Sequence, residues 1–363
     1  MKENDRKGAE ERVHGKPYTE WEPKTDAYKR LKAYWEKAAG LAEKRQDRVP
    51  ESSGKRRRGM MEHDIFYFQE QLLAGLREYL PADAGYVYRM ETVEKNRETR
   101  HALVIGKKTD SIIPTIYMEG YFQAYENGYP LSSICRDICQ DILTREPPRL
   151  DMGKVQDYEQ IKENLRLRLV SREDNRKYLE QGPYRMDTIG AMVVYADLDE
   201  SLMGQEMGMR IAHRLLQGYG VTEGQLFDEA MTQTRMHCPF TLQSMDSLIE
   251  EMTGMQGPGG CDMHILTNRD KFYGASVSLY PDTLPKVREM LGEDFYVLPS
   301  SVHEPILLRK SGQHTPYDLR AMVRQVNREQ VAPEEQLSNE VFEYRGKERQ
   351  LLPCRIKERE RER

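Results

Sequence analysis

Ser300, Ser301, His303 and Glu304 fall within five residues of one another. A hydroxyl, an imidazole and a carboxylate are the groups that a nucleophilic hydrolase brings together, so Ser301, His303 and Glu304 are the catalytic candidates. The chemistry needs convergence, because the imidazole must bond both the hydroxyl and the acid. On an extended segment Ser301 and His303 share one face and Glu304 turns to the other. No Gly-x-Ser-x-Gly elbow accompanies them. The same stretch also reads as a loop between two strands whose side chains satisfy turn backbone groups.

A second set joins His237 and Cys238 to Cys261 and His264. Two imidazoles and two thiolates are ligands that zinc takes, and a Cys-x-x-His pair can grip one ion. The adjacent His-Cys pair is not a standard knuckle, and His264 is expected on a strand. The residues therefore point to satisfied or exposed side chains, with no metal and no cofactor. Cys135 and Cys139 sit one helical turn apart beside Ile134, Ile138 and Ile142, a core stripe in which cysteine serves as a small hydrophobe. Gly254-Met255-Gln256-Gly257-Pro258-Gly259-Gly260 lacks the Gly-Lys-Ser/Thr ending of a phosphate loop and reads as a linker.

The elements that must position these groups follow from periodicity. Ile65, Phe68, Leu72, Leu76 and Leu80 predict a helix over 61–80, stopped by Pro81. Strands are expected at 85–93 and 101–106 as an antiparallel hairpin, with a third at 112–118 and helices at 119–127 and 131–145. Leu165–Val170 alternates Leu with Arg, the pattern of a strand with one buried face. The run 189–198 is apolar enough for a central strand. Helices are expected at 202–218, 222–236 and 241–252. From 263 the pattern is strand (263–268), turn, strand (275–280), helix from Pro281 to Gly292, strands at 295–298 and 305–308, and a helix over 316–328. Beyond Glu335 the order is expected to weaken.

Charge divides the chain. Residues 1–60 hold 17 Lys/Arg against 11 Asp/Glu, and the remaining residues hold 38 against 49. An acidic body repels the phosphate backbone unless a local basic patch intervenes, so nucleic acid is not the expected partner. Five cysteines scattered over 363 residues do not form a disulfide framework. No apolar leader follows the first charges, and no apolar run approaches the roughly 20 residues a membrane helix needs. A cytoplasmic protein is expected, with no membrane partner. The organisation expected is a basic, disordered arm at 1–60, an α+β region at 61–253, a Gly-rich linker at 254–262, a C-terminal α+β unit at 263–345 and a charged tail at 346–363. Met60 and Met61 precede the first strong helix, and either would serve as a natural start that leaves the arm outside the protein.

Several phrases resemble a family. Leu266-Thr267-Asn268 with Tyr273-Gly274-Ala275-Ser276 is one. Asp294-Phe295-Tyr296-Val297-Leu298-Pro299-Ser300-Ser301-Val302-His303-Glu304 and Val331-Ala332-Pro333-Glu334-Glu335 are two more, and Pro114-Thr115-Ile116-Tyr117 lies near the front. In this order they resemble an uncharacterised domain-of-unknown-function family of anaerobic gut bacteria, over roughly 61–345. The resemblance implies a bacterial cytoplasmic protein and carries over no activity and no site residue. With no complete catalytic set, the function expected is a non-enzymatic interaction or accessory protein with a protein partner. The alternative is a small-molecule-binding or hydrolase-type enzyme using the loop at 300–304.

Overall fold

Spacings of three and four put Ile65, Phe68, Leu72, Leu76 and Leu80 on one stripe. In the computed structural model of the protein all five are buried, on or just past α1 (Gly54–Tyr79). The structure describes residues 54–80, 85–110, 112–144, 150–198, 207–254, 262–310 and 314–355. The basic arm up to residue 53, Cys261, most of the Gly-rich stretch and the tail after residue 355 lie outside the described residues.

The fold is α+β, with three antiparallel sheets among the described residues and helices packed on them. The first sheet has the order β1 (Tyr86–Lys95), β2 (Glu98–Lys107), β3 (Thr115–Tyr117). Its apolar face meets α1, α2 (Glu119–Glu126) and α3 (Leu131–Thr144). Ile134, Cys135, Ile138, Cys139 and Ile142 all face that core, as their spacing predicts. The helices α1 and α3 touch at Gly75, where an added Cβ would lie 2.7 Å from Cys135 Sγ.

The second sheet is built around β6 (Ala191–Leu198), central as its apolar run predicts. It pairs with β4 (Leu165–Val170) on one edge, and with β5 (Tyr184–Met186) and β7 (Met207–Arg210) on the other. Around it lie α4 (Arg176–Leu179), α5 (His213–Tyr219) and α6 (Glu223–His237). Thr222 caps α6 in a reciprocal box with Gln225 three residues on.

The third sheet has six strands. It takes in β8 (Phe240–Ser244), β9 (Met263–Asn268), β10 (Phe295–Leu298), β11 (Ile306–Arg309), β12 (Phe342–Arg345) and β13 (Gln350–Pro353) in the order β13-β12-β10-β11-β9-β8. Phe295, Val297, Leu307 and Phe342 fill its core, and α7 (Met245–Thr253), α8 (Thr283–Leu291) and α9 (Pro316–Glu329) belong to the same stretch of chain. Pro316 opens α9 at its first turn behind the Thr315–Asp318 capping box.

Four expectations are corrected. Residues 275–280 do not form a strand; Gly274–Leu279 is a 3₁₀ run. Tyr273 enters it with φ +46°, and Gly274 is pressed so closely to Thr267 and the His303 carbonyl that any Cβ would collide. A chain turned this sharply cannot continue as an extended strand. The helix expected over 202–218 begins only at His213, because residues 207–210 pair with β6 and Gly208 leaves room for the Arg168 guanidinium. The helix expected over 241–252 begins at Met245, capped by Ser244, and the preceding Phe-Thr-Leu-Gln-Ser alternates as β8. Order also persists past Glu335: β12 and β13 form a hairpin that buries Phe342 and Tyr344. The third sheet runs across both expected boundaries, at 254–262 and at 345. β8 pairs with β9 across the first, from Phe240↔Asn268 to Ser244↔His264, and β13 lies beyond the second.

Candidate functional site

The hairpin β1–β2 closes through Asn96 and Arg97, with Arg97 in the left-handed region at φ +58°. Asn96 is buried, and every hydrogen-bonding site on its amide is used. Its Oδ1 accepts from the Ser171 N–H at 3.0 Å and the Asn175 amide at 2.8 Å. Its Nδ2 donates to the carbonyls of Glu334 and Gln336 at 2.9 and 2.8 Å. The Arg97 N–H in turn donates to Asn175 Oδ1 at 3.1 Å. One asparagine thus pins the tip of the first sheet to the end of β4 and to the segment after α9.

Pinning the tip holds the side chains beside it at the rim of an open cleft of about 490 Å³. Lys95, Arg97, Arg172, Arg176 and Lys177 bring five cations to its lining, against Glu94, Glu98 and Asp174. Tyr178 and Tyr184 add aromatic wall. Lys177 pairs with Glu94 at 3.4 Å, Arg176 with Glu180 at 2.7 Å and Arg97 with Glu173 at 3.7 Å. Arg172 is exposed and has no ion-pair partner among the described residues. Neither histidine, cysteine nor serine lines the cleft among those residues.

Behind the rim lies a cage of rings and cations. Arg168, on β4, is buried with its guanidinium 4.0 Å from the Tyr195 ring centre, 4.2 Å from Tyr273 and 5.1 Å from Phe272. Its charge is answered by Asp197 at 3.0 Å. The Tyr178 and Tyr195 hydroxyls share a 2.8 Å hydrogen bond, and Arg210 covers the Tyr178 ring at 4.3 Å while donating to the Leu179 carbonyl. Lys95 lies 5.3 Å over Tyr117. Burial works against its charge, but the hydrogen bond to the Tyr117 hydroxyl and the neighbouring Tyr117, Tyr195 and Tyr273 phenol oxygens outweigh that and raise its pKa. Burial raises the Tyr178 and Tyr273 phenols as well, so both remain hydrogen-bond donors at neutral pH.

The Ser300–Glu304 stretch adjoins this cage and serves it. Ser301 Oγ accepts from the His303 backbone N–H at 3.0 Å, a local turn bond and not a contact to the imidazole. His303 Nδ1 accepts from the Tyr273 N–H at 3.0 Å, which makes Nε2 the protonated nitrogen, 3.5 Å from Glu335 Oε1. The imidazole also packs on Phe272 and Tyr273 at 5.9 and 5.2 Å between ring centres. Both ring nitrogens are committed, and what they hold is the left-handed turn that aims Tyr273 at Arg168. Glu304 is half-buried on the same loop.

Of the second candidate set, His237, Cys238 and His264 are described, and they are not brought together. His264 lies at the Ser244 end of the β8–β9 ladder, whereas Cys238 precedes the Phe240 end. Four ladder positions separate those ends, on the order of 13 Å at strand rise. His237 is exposed at the close of α6, Cys238 is half-buried, and no group of three metal-ligating side chains occurs among the described residues.

The periodicity of the chain does not reveal Lys95, Asn96, Arg168, Tyr195 and Tyr273 as partners. Two signals were nonetheless in the sequence: an arginine in the middle of an apolar strand, and 21 tyrosines against 8 phenylalanines. A family model described as a family of unknown function, DUF5688, matches residues 66–346. No curated protein and no solved structure matches the chain.

Proposed function

The chain belongs to this family of unknown function, and we propose that it is a non-enzymatic binding protein that takes a small anionic ligand in the hairpin-tip cleft. One observation carries the reading. Five cations against three carboxylates line a single cleft on a body whose residues after 60 hold 38 basic against 49 acidic side chains. A local reversal of sign focuses the field on an anion approaching that cleft. The volume, about 490 Å³, lies in the range of small-molecule sites, and it suits a phosphate- or polycarboxylate-bearing molecule better than a polymer. Tyr178 and Tyr184 give such a ligand a surface for a ring, and the pinned tip supplies preorganisation.

The alternative is a hydrolase on Ser301, His303 and Glu304. It needs the serine hydroxyl against a free imidazole nitrogen, and the hydrogen bonds of Ser301 and His303 argue for a positioning role instead. We further place the protein in the bacterial cytoplasm as an accessory factor. Free thiols at Cys135, Cys139, Cys238 and Cys354 support that setting. Among the described residues no helix is long and apolar enough to cross a membrane.

Titration calorimetry of the full chain with pyrophosphate, citrate and adenosine monophosphate tests the reading. At least one should bind the wild type, and Arg172→Glu should weaken it about tenfold or more by reversing the unpaired charge at the rim. Ester and phosphoester turnover lost in Ser301→Ala, with no anion bound, would establish the hydrolase in its place.

A further inference from the structure

Among the described residues β1 pairs only with β2, so its other edge carries no ladder, and α4 approaches it only towards its end, where Lys177 meets Glu94 at 3.4 Å. The strand runs ten residues in unbroken register, with no proline, glycine or bulge to blunt it. Proteins commonly protect edges by those devices, and a long regular edge is a template for another strand. Tyr86, Tyr88 and Met90 pack toward the α1–α3 core. Alternation then places Val87, Arg89, Glu91 and Val93 together on the opposite face. Arg89 and Glu91 are exposed and pair with each other at 2.5 Å along their own strand.

We propose that β1 pairs antiparallel with β1 of a second copy of this chain, about a two-fold axis at Met90. The two three-stranded sheets would then join as one sheet of six. In this register Arg89 stands opposite Glu91 of the second copy, and Glu91 opposite its Arg89. Val87 stands opposite Val93, and Tyr88 opposite Thr92. The neighbouring registers that keep the same faces together are worse. Sliding one way sets Glu91 against Glu91, and sliding the other way sets Arg89 against Arg89. A one-residue slip turns the apolar face of one strand over. The strand is thus self-complementary in one register, as an isologous contact requires. This pairing involves no residue of the cleft reading beyond Glu94 and stands independently of it.

Sedimentation equilibrium of the full chain tests the pairing. The wild type should be a dimer. Arg89→Glu and Glu91→Arg should each weaken association about tenfold or more, because each sets like charges face to face twice across the axis. The double variant Arg89→Glu/Glu91→Arg should recover the dimer, since the reversed strand is complementary again. Both side chains are exposed, so the circular dichroism spectra should stay alike and report that every variant is folded, while midpoints of the weakened variants fall only as far as the lost association requires. A wild type that stays monomeric at its highest soluble concentration overturns the proposal. So does a dimer indifferent to the single reversals, or a double variant as weak as either single.

Discussion

Two buried regions of this protein hold together by different physics. The core between the first sheet and its helices is almost wholly apolar: Phe68, Leu72, Leu76, Leu103, Ile105, Ile134 and Ile138 carry it. The junction at the hairpin tip is built from an asparagine, an arginine, a lysine, a histidine and four tyrosines, each satisfied by a specific partner. Burial alone stabilises the first, in proportion to area and with little regard for direction. The second gains little net energy per contact, yet loses much if any one partner is left unmet. An apolar core gives stability, and a polar junction fixes geometry, which is what a binding site needs.

The contrast predicts a ranking of substitutions. Phe68→Ala, in the apolar core, should cost about 3–5 kcal/mol of stability through lost transfer energy and a cavity. Denaturant unfolding with an unchanged slope would show it. A cost within error would mean that the helices do not depend on that stripe. Asn96→Ala should cost less, about 1–3 kcal/mol, because it strands buried donors and acceptors without opening a large void. Its more telling effect is local. Amide exchange in residues 94–98 should accelerate far more than in α3, and uniform acceleration would show that the tip is not separately pinned.

His303→Phe keeps the ring packing but removes the acceptor from the Tyr273 N–H, and should cost about 1 kcal/mol. Anion affinity should fall with it if Tyr273 must be held to orient the cage. Unchanged stability with a lost hydrolytic activity would move His303 from positioning to catalysis.

The smallest effect concerns pH. Burial, followed by the neighbouring Glu334 carboxylate, pushes the Glu98 pKa up against the pull of Arg100. The folded state then holds that proton more tightly than the unfolded chain. Its contribution to stability is therefore full in acid and declines as pH rises through the raised value. Glu98→Gln should flatten this part of the stability profile, and an unaltered slope would remove Glu98 from the junction's electrostatics. His264 has the opposite sign: burial lowers its pKa, so its contribution is full above the usual histidine range and is lost as pH falls.

The two regions also differ in how far they could be read from the chain. Ile65 through Leu80, and Ile134 through Ile142, announce themselves because their partners recur every three or four residues. The strand at 165–170, the hairpin and the Thr222–Gln225 cap are equally local signals. Asn96 meets Ser171, Asn175, Glu334 and Gln336, and Arg168 meets Tyr195 and Tyr273. No local period encodes such pairs. The stretch 275–280 misled for a related reason, since its apolar residues suit a strand, while the left-handed turn at Tyr273 and the close approach of Gly274 to Thr267 and His303 rest on distant partners. Ser301, His303 and Glu304 are neighbours in sequence, and their bonds are not legible there: Ser301 Oγ accepts from the His303 N–H, and His303 Nδ1 accepts from the distant Tyr273 N–H.

Hydrogen exchange of the full chain with and without a saturating anion from the calorimetric set tests the cleft most directly. Protection is predicted at residues 94–99 and 172–179, with the loop at 300–304 unchanged or only slightly slowed. Protection centred on 300–304, or none anywhere, would contradict a binding site at the hairpin tip.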